Sequence, residues 1–136
     1  LNKIDKDLWD IQPEGFPNNI RWNAGHVYIT AEDYLNDADK DYEFTPIEWK
    51  DYFIDGTSPS DWDKNVPTPD VIMRALQEQE HRIERFFKEK LANPASVTRD
   101  VNGLMLDTVD ASLQFVTWHE GIHLGLTNAL RKFLNK

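Results

Sequence analysis

The 136 residues of this chain, 40% hydrophobic and 29% charged, suffice for one buried core and not for two, which predicts a single globular domain. The complete lack of cysteine excludes disulfides, a thiol nucleophile and cysteine-ligated metal sites, and with no signal peptide and no apolar run of membrane-span length the expected setting is cytoplasmic, with no membrane partner. Asp and Glu number 24 against 15 Lys and Arg, a net charge of -9 with no basic cluster, which argues against nucleic acid as a partner.

Residues 1 to 9 carry Leu1, Ile4 and Leu8 on one stripe and read as the last turns of a first helix, a stub whose earlier part is expected to be truncated. Pro13, Gly15 and Pro17 then break the chain. A second helix is predicted from Asn18, its N-cap, to Asn36, with Ile20, Ala24, Val27, Ala31, Tyr34 and Leu35 as the apolar stripe. Residues 37 to 67 are acidic and interrupted by Pro46, Gly56, Pro59 and Pro67, and form a long crossover with one short helical turn over Ile47–Phe53. Thr68 as N-cap, Pro69 at the first position and Asp70 in the first turn start a third helix, which runs to about Leu91 and buries Ile72, Leu76, Ile83, Phe86 and Phe87. Asn93-Pro94 ends it. A loop carrying Gly103 leads to a fourth helix from Thr108 to about Leu134, where Asp107 and Asp110 have capping-box spacing. No stretch alternates as a strand does. The expected class is therefore all-α: a four-helix bundle with its long crossover between helices 2 and 3.

The chain has four histidines, His26, His81, His119 and His123. His81, flanked by Glu78, Glu80 and Arg82 and opposite Ile83, reads as a solvated side chain. His119 and His123 stand four residues apart in the fourth helix, so their rings leave one face with Cβ atoms roughly 5–6 Å apart, close enough to share an ion at about 2.0–2.1 Å. On a helical wheel they share that face with Ser112, Phe115, Val116, Leu126 and Leu130, a stripe that faces the core. Two neutral core histidines are the plain alternative, but burying two imidazoles on adjacent turns without evident partners is costly. His26 lies about 130° from the centre of its helix's apolar stripe, a position that ordinarily means solvent. Its own face nevertheless carries Asn19, Trp22, Asn23, Ile29, Thr30 and Asp33, a mixture that suits the wall of a cleft.

His119-Glu120-Gly121-Ile122-His123 is a literal H-E-x-x-H, the pattern in which a glutamate acts as general base beside a metal. Zincins commonly take a third ligand from further along the chain. The 13 residues after His123 contain no His, Asp or Glu, so a protease of that type is set aside and the third ligand must lie upstream. His26 is the economical choice. Three imidazoles leave coordination positions open for water and substrate, as catalytic sites do.

The segments Asn19-Ile20-Arg21-Trp22-Asn23-Ala24-Gly25-His26 and Thr117-Trp118-His119-Glu120-Gly121-Ile122-His123-Leu124-Gly125, in that order and on the second and fourth helices, resemble the DinB/YfiT-like metalloproteins, which include bacillithiol transferases. The resemblance spans nearly the whole chain, though these two motifs are its specific part. It implies a four-helix bundle with a three-histidine site holding a divalent ion, nickel or zinc before manganese or iron, with His26, His119 and His123 as the ligands. It also implies a small-molecule substrate, often a low-molecular-weight thiol moved onto an electrophile, or a metabolite isomerised or hydrolysed. Homodimers are common in the family. The short first helix departs from its pattern.

These readings converge on a metal-dependent transferase or hydrolase. Glu120, next to a ligand, is the candidate general acid/base, with a solvated helix glutamate as the alternative. Asn23 and Thr30 flank His26 and are placed along the pocket, while Trp22 and Trp118 either shield the ion or simply pack. A non-catalytic binding protein using the same ion, and a structural helical module with chance histidines, are the competing interpretations.

Overall fold

The computed structural model describes residues 1–136 throughout. At its centre lies α1 (Ile20–Ala38), the second helix of the sequence reading. Asn19 rather than Asn18 is the N-cap, its side-chain oxygen accepting from the Trp22 N–H at 2.8 Å. Thirteen of the nineteen residues of α1 are buried. The cause is packing on several sides: α4 (Val109–Leu134) along one, α3 (Pro69–Phe87) along another, and the crossover folded over a third.

The helical turn expected over Ile47–Phe53 is present as a 3-10 turn (Ile47–Trp49) that runs into α2 (Lys50–Phe53). Trp49 and Phe53 join Trp9, Ile20, Trp22, Tyr28 and Ile72 in the main core, and complete burial of such a side chain stabilises by about 1.5–3 kcal/mol. A buried carboxylate fastens the crossover to the helices. Glu32, fully buried, accepts from the Tyr42 hydroxyl at 2.9 Å, the Thr45 N–H at 3.2 Å and Gln79 Nε2 at 2.9 Å, and pairs with Arg82.

Several expectations are corrected. Residues 1 to 9 contain no α-helical turn, only a 3-10 turn (Lys6–Leu8), although Ile4 and Trp9 reach the core. The third predicted helix, α3, starts at Pro69 with the Thr68 side chain accepting from the Val71 N–H, but stops at Phe87, four residues before Leu91. Beyond it the chain turns, and the carbonyls of Leu91 and Asn93 accept from the N–H groups of Asp110 and Val109, first-turn donors of α4 with no partner inside the helix. Ile72 and Phe87 are buried, while Leu76, Ile83 and Phe86 are half-buried.

The all-α class is also overturned. Between α3 and α4 stands an antiparallel hairpin, β1 (Pro94–Val101) and β2 (Leu104–Thr108), so the molecule is mixed α/β and only partly a helical bundle. Val101 pairs with Leu104, and Asn102 and Gly103 form the two-residue turn with φ of 53° and 91°, both in the left-handed region that a type I′ hairpin requires. Most of its side chains are exposed, so no clean alternation marks the strands. Leu106 is buried, and Arg99 ties the hairpin to α1 through Asp33 at 2.8 Å. The Thr108 side chain, which accepts from the Ala111 N–H, then caps α4. No helix is long and apolar enough to cross a membrane.

Candidate metal centre

His26 leaves the middle of α1, and His119 and His123 leave successive turns of α4, the helix packed against it. One ligand nitrogen from each ring lies within 4.8 Å of the others. The rings of His119 and His123 sit 4.5 Å apart by centroid, and His26 lies 5.0 and 4.7 Å from them. The helix whose apolar stripe points away from His26 buries it all the same, because the crossover covers that side.

Two of the three rings are fixed by hydrogen bonds at the nitrogen remote from the cluster. His26 Nδ1–H donates to the Phe53 carbonyl at 2.7 Å, and His123 Nδ1–H donates to Asn23 Oδ1 at 2.7 Å. The Asn23 amide cannot turn its other end to His123 without loss. Its Nδ2 already donates to Asn18 Oδ1 at 2.7 Å and to the Asn19 carbonyl at 2.8 Å. With both Nδ1 atoms protonated, the Nε2 atoms carry the lone pairs. His26 Nε2 faces His119 Nε2 at 3.2 Å.

Electrostatics favour the same unprotonated state. Burial lowers the pKa of His26 against the opposing pull of the Phe53 carbonyl and Asp55. Burial first, then the charge of neighbouring imidazoles, pushes His119 and His123 down to about 4. All three rings are neutral at pH 7, which is the form that binds a cation. The donor set thus fits a divalent ion: three neutral imidazoles, two of them held in orientation by groups behind them.

Gly25 makes part of this arrangement possible. A Cβ there would come within 2.5–2.6 Å of the Phe53 ring, so only glycine lets Phe53 close over α1 and bring its carbonyl to His26. Trp22 stacks on His26 with centroids 4.5 Å apart and planes 11° from parallel, and its Nε1–H donates to Thr57 Oγ1 at 2.9 Å.

The remaining predicted residues divide. Thr30 places its hydroxyl 3.5 Å from His26 Nε2, at the outer limit of a hydrogen bond. Trp118 is 62% exposed and lies against Phe115, while His81 is exposed and remote from the cluster. Glu120 is exposed and makes no hydrogen bond to any of the three imidazoles. It lines a cavity of about 560 Å³ between α1, α3 and α4, walled by apolar side chains such as Val27, Met73, Leu76 and Val116. Of the three histidines only His123 lines that cavity, together with its hydrogen-bond partner Asn23. Two further residues join the site that the sequence reading does not place there: Phe53, whose contribution is a carbonyl, and Asp55, whose Oδ1 lies 3.6 Å from His26 Nε2. Asp55-Gly56 is a turn dipeptide directly after an aromatic helical turn, the one local signal that marks the position.

A family model described as the DinB superfamily matches residues 1–127, a span that includes all three histidines, and the chain belongs to that family. A comparison with curated proteins finds no match.

Proposed function

We propose that this DinB-superfamily protein is a divalent-metal-dependent enzyme acting on a small substrate, with the ion held by His26, His119 and His123. One observation carries the reading: three imidazoles from two helices converge, and Phe53 and Asn23 hold two of them with Nε2 presented to a common point. An ion there supplies Lewis acidity, lowering the pKa of a water or thiol presented to it. Nitrogen donors of this kind suit nickel or zinc, and manganese or iron less well. The protein's own residues orient and exclude. Trp22 covers one face of His26, and the Asn18–Asn23–His123 chain of hydrogen bonds keeps the ring of His123 from rotating. The chemistry that suits such a site is transfer of a low-molecular-weight thiol to an electrophile, or hydrolysis.

Glu120 is the acid/base in this proposal only if substrate bridges it to the ion, since it stands on the cavity wall. That same separation favours a second reading, a non-catalytic protein that uses the ion to hold a ligand. Metal content of protein purified without a histidine tag tests the site. His26→Ala is expected to lose at least tenfold in metal affinity with the fold intact, and unchanged affinity would remove His26 from the site. Turnover of thiol–electrophile pairs with and without added metal separates enzyme from binder. Absence of turnover over a broad panel, with ligand binding retained, favours the binder.

A further inference from the structure

The geometry points to Asp55 as a fourth protein ligand to the ion, completing a three-histidine, one-carboxylate site; this rests on the metal reading above. Ligand atoms about 2.1 Å from a shared ion stand about 3.4 Å apart at tetrahedral angles and about 3.0 Å apart at right angles. His26 Nε2 has two neighbours near that spacing, His119 Nε2 at 3.2 Å and Asp55 Oδ1 at 3.6 Å. With its proton on Nδ1, donated to Phe53, His26 Nε2 has no hydrogen to offer either of them. His119, whose Nδ1 makes no hydrogen bond, can carry its proton on Nε2 and donate to the lone pair of His26 Nε2. The Asp55 carboxylate has no such proton, and a cation between it and His26 Nε2 relieves the repulsion.

Asp55 is held in place although its side chain is 93% exposed. It occupies the second position of a turn closed by the Thr57 N–H to the Ile54 carbonyl at 3.1 Å, with Gly56 at φ 88° supplying the left-handed residue the turn demands. Both ends of that turn are fastened to one face of α1. Phe53, two residues before Asp55, accepts from His26, and Thr57, two residues after it, accepts from Trp22 Nε1. The backbone therefore holds the carboxylate beside His26, at the edge of the group of three imidazole nitrogens that lie within 4.8 Å of one another, and ligation requires its side chain to turn inward from its exposed position. Glu120 instead lines the cavity between α1, α3 and α4 and makes no hydrogen bond to the three rings.

The test uses the full chain, stripped of metal and titrated with Zn²⁺ against a chelator and with Co²⁺ for its visible spectrum. Wild type, Asp55→Ala, His26→Ala and the exposed control Asp51→Ala are compared. Asp55→Ala disturbs no core packing. It is expected to lose at least tenfold in Zn²⁺ affinity and to change the energy and intensity of the Co²⁺ bands, while Asp51→Ala matches wild type. Unchanged affinity and an unchanged spectrum overturn ligation by Asp55 and leave the three-histidine site standing. Weaker affinity with an unchanged spectrum also overturns it, because the carboxylate then acts only through space. If wild type binds neither ion, the metal reading itself fails and ligation by Asp55 fails with it.

Discussion

Asn23 offers the most direct measure of how far the site is built in advance. The residue is 1% exposed and makes three side-chain hydrogen bonds: it accepts from His123 Nδ1–H and donates to Asn18 Oδ1 and the Asn19 carbonyl. Asn23→Ala removes all three. At a net value of about 1 kcal/mol each, the expected loss of stability is about 2–3 kcal/mol. The functional effect is separate. His123 stays on α4, but nothing holds its ring or selects its tautomer, and loss of such a partner typically lowers metal affinity 10–100-fold. Asn18→Ala is the graded control, since it removes one anchor of the amide and leaves Oδ1 free to accept from His123, so its effect on affinity is smaller. Zn²⁺ affinity by chelator competition and helix content by circular dichroism are measured on the same samples. A folded Asn23→Ala protein with wild-type affinity would refute the claim that the amide presets His123.

Three further outcomes follow from the geometry. Gly25→Ala forces the Phe53 ring to move, destabilises the fold by about 1–3 kcal/mol and weakens metal binding by displacing the Phe53 carbonyl, whereas Gly125→Ala, whose Cβ meets nothing within 4 Å, stabilises α4 by up to about 1 kcal/mol; thermal melts and chelator competition read both. Glu32→Ala leaves Arg82 without its buried partner and is expected to lower stability by about 3–5 kcal/mol in urea titrations, with a loss under 1 kcal/mol showing that the network is not a fastening. Metal-free protein should lose stability on acidification: His119 and His123 ionise near pH 4 when folded against 6.5 when unfolded, so only the unfolded chain takes up protons between those values. That stability is complete above pH 6.5 and falls toward pH 4, by about 1–2 kcal/mol per ring once the solvent access of half-buried side chains is allowed for. Urea midpoints at pH 7.5 and 5.0 check it, and His119→Asn should shrink the difference.

What the sequence disclosed was whatever local chemistry decides. Thr68-Pro69 announces a helix start because caps act within one turn, and it stands at the observed boundary, whereas at α4 the capping-box spacing points to Asp107 and the cap is Thr108, one residue further on. The i, i+4 spacing of His119 and His123 fixes their common face without any tertiary knowledge. Asn102-Gly103 is a hairpin dipeptide, but the strands beside it bury little and so show no alternating period to accompany it. The apolar stripe of its helix, taken alone, turns His26 toward solvent because it supposes one buried face, and only the mixed residues around His26 point to a cleft. α1 has no solvent face at that height, since α2 and the turn after it lie there.

The same circumstance leaves the places of Asp55 and Phe53 in the site without a local sequence signature. Their part in the site depends on thirty residues of proline-interrupted crossover returning to the level of His26, and no local pattern encodes that return. What does encode it is a set of long-range fits: a glycine at position 25 that leaves room for a phenyl ring, a threonine hydroxyl at the right height for Trp22, and a buried glutamate that holds the start of the crossover. Each is unremarkable alone. Together they turn the crossover from a connection into the third wall of the centre, so substitutions at Gly25, Thr57 or Glu32, remote from the metal ligands along the chain or pointing away from them, should register in metal affinity as well as in stability.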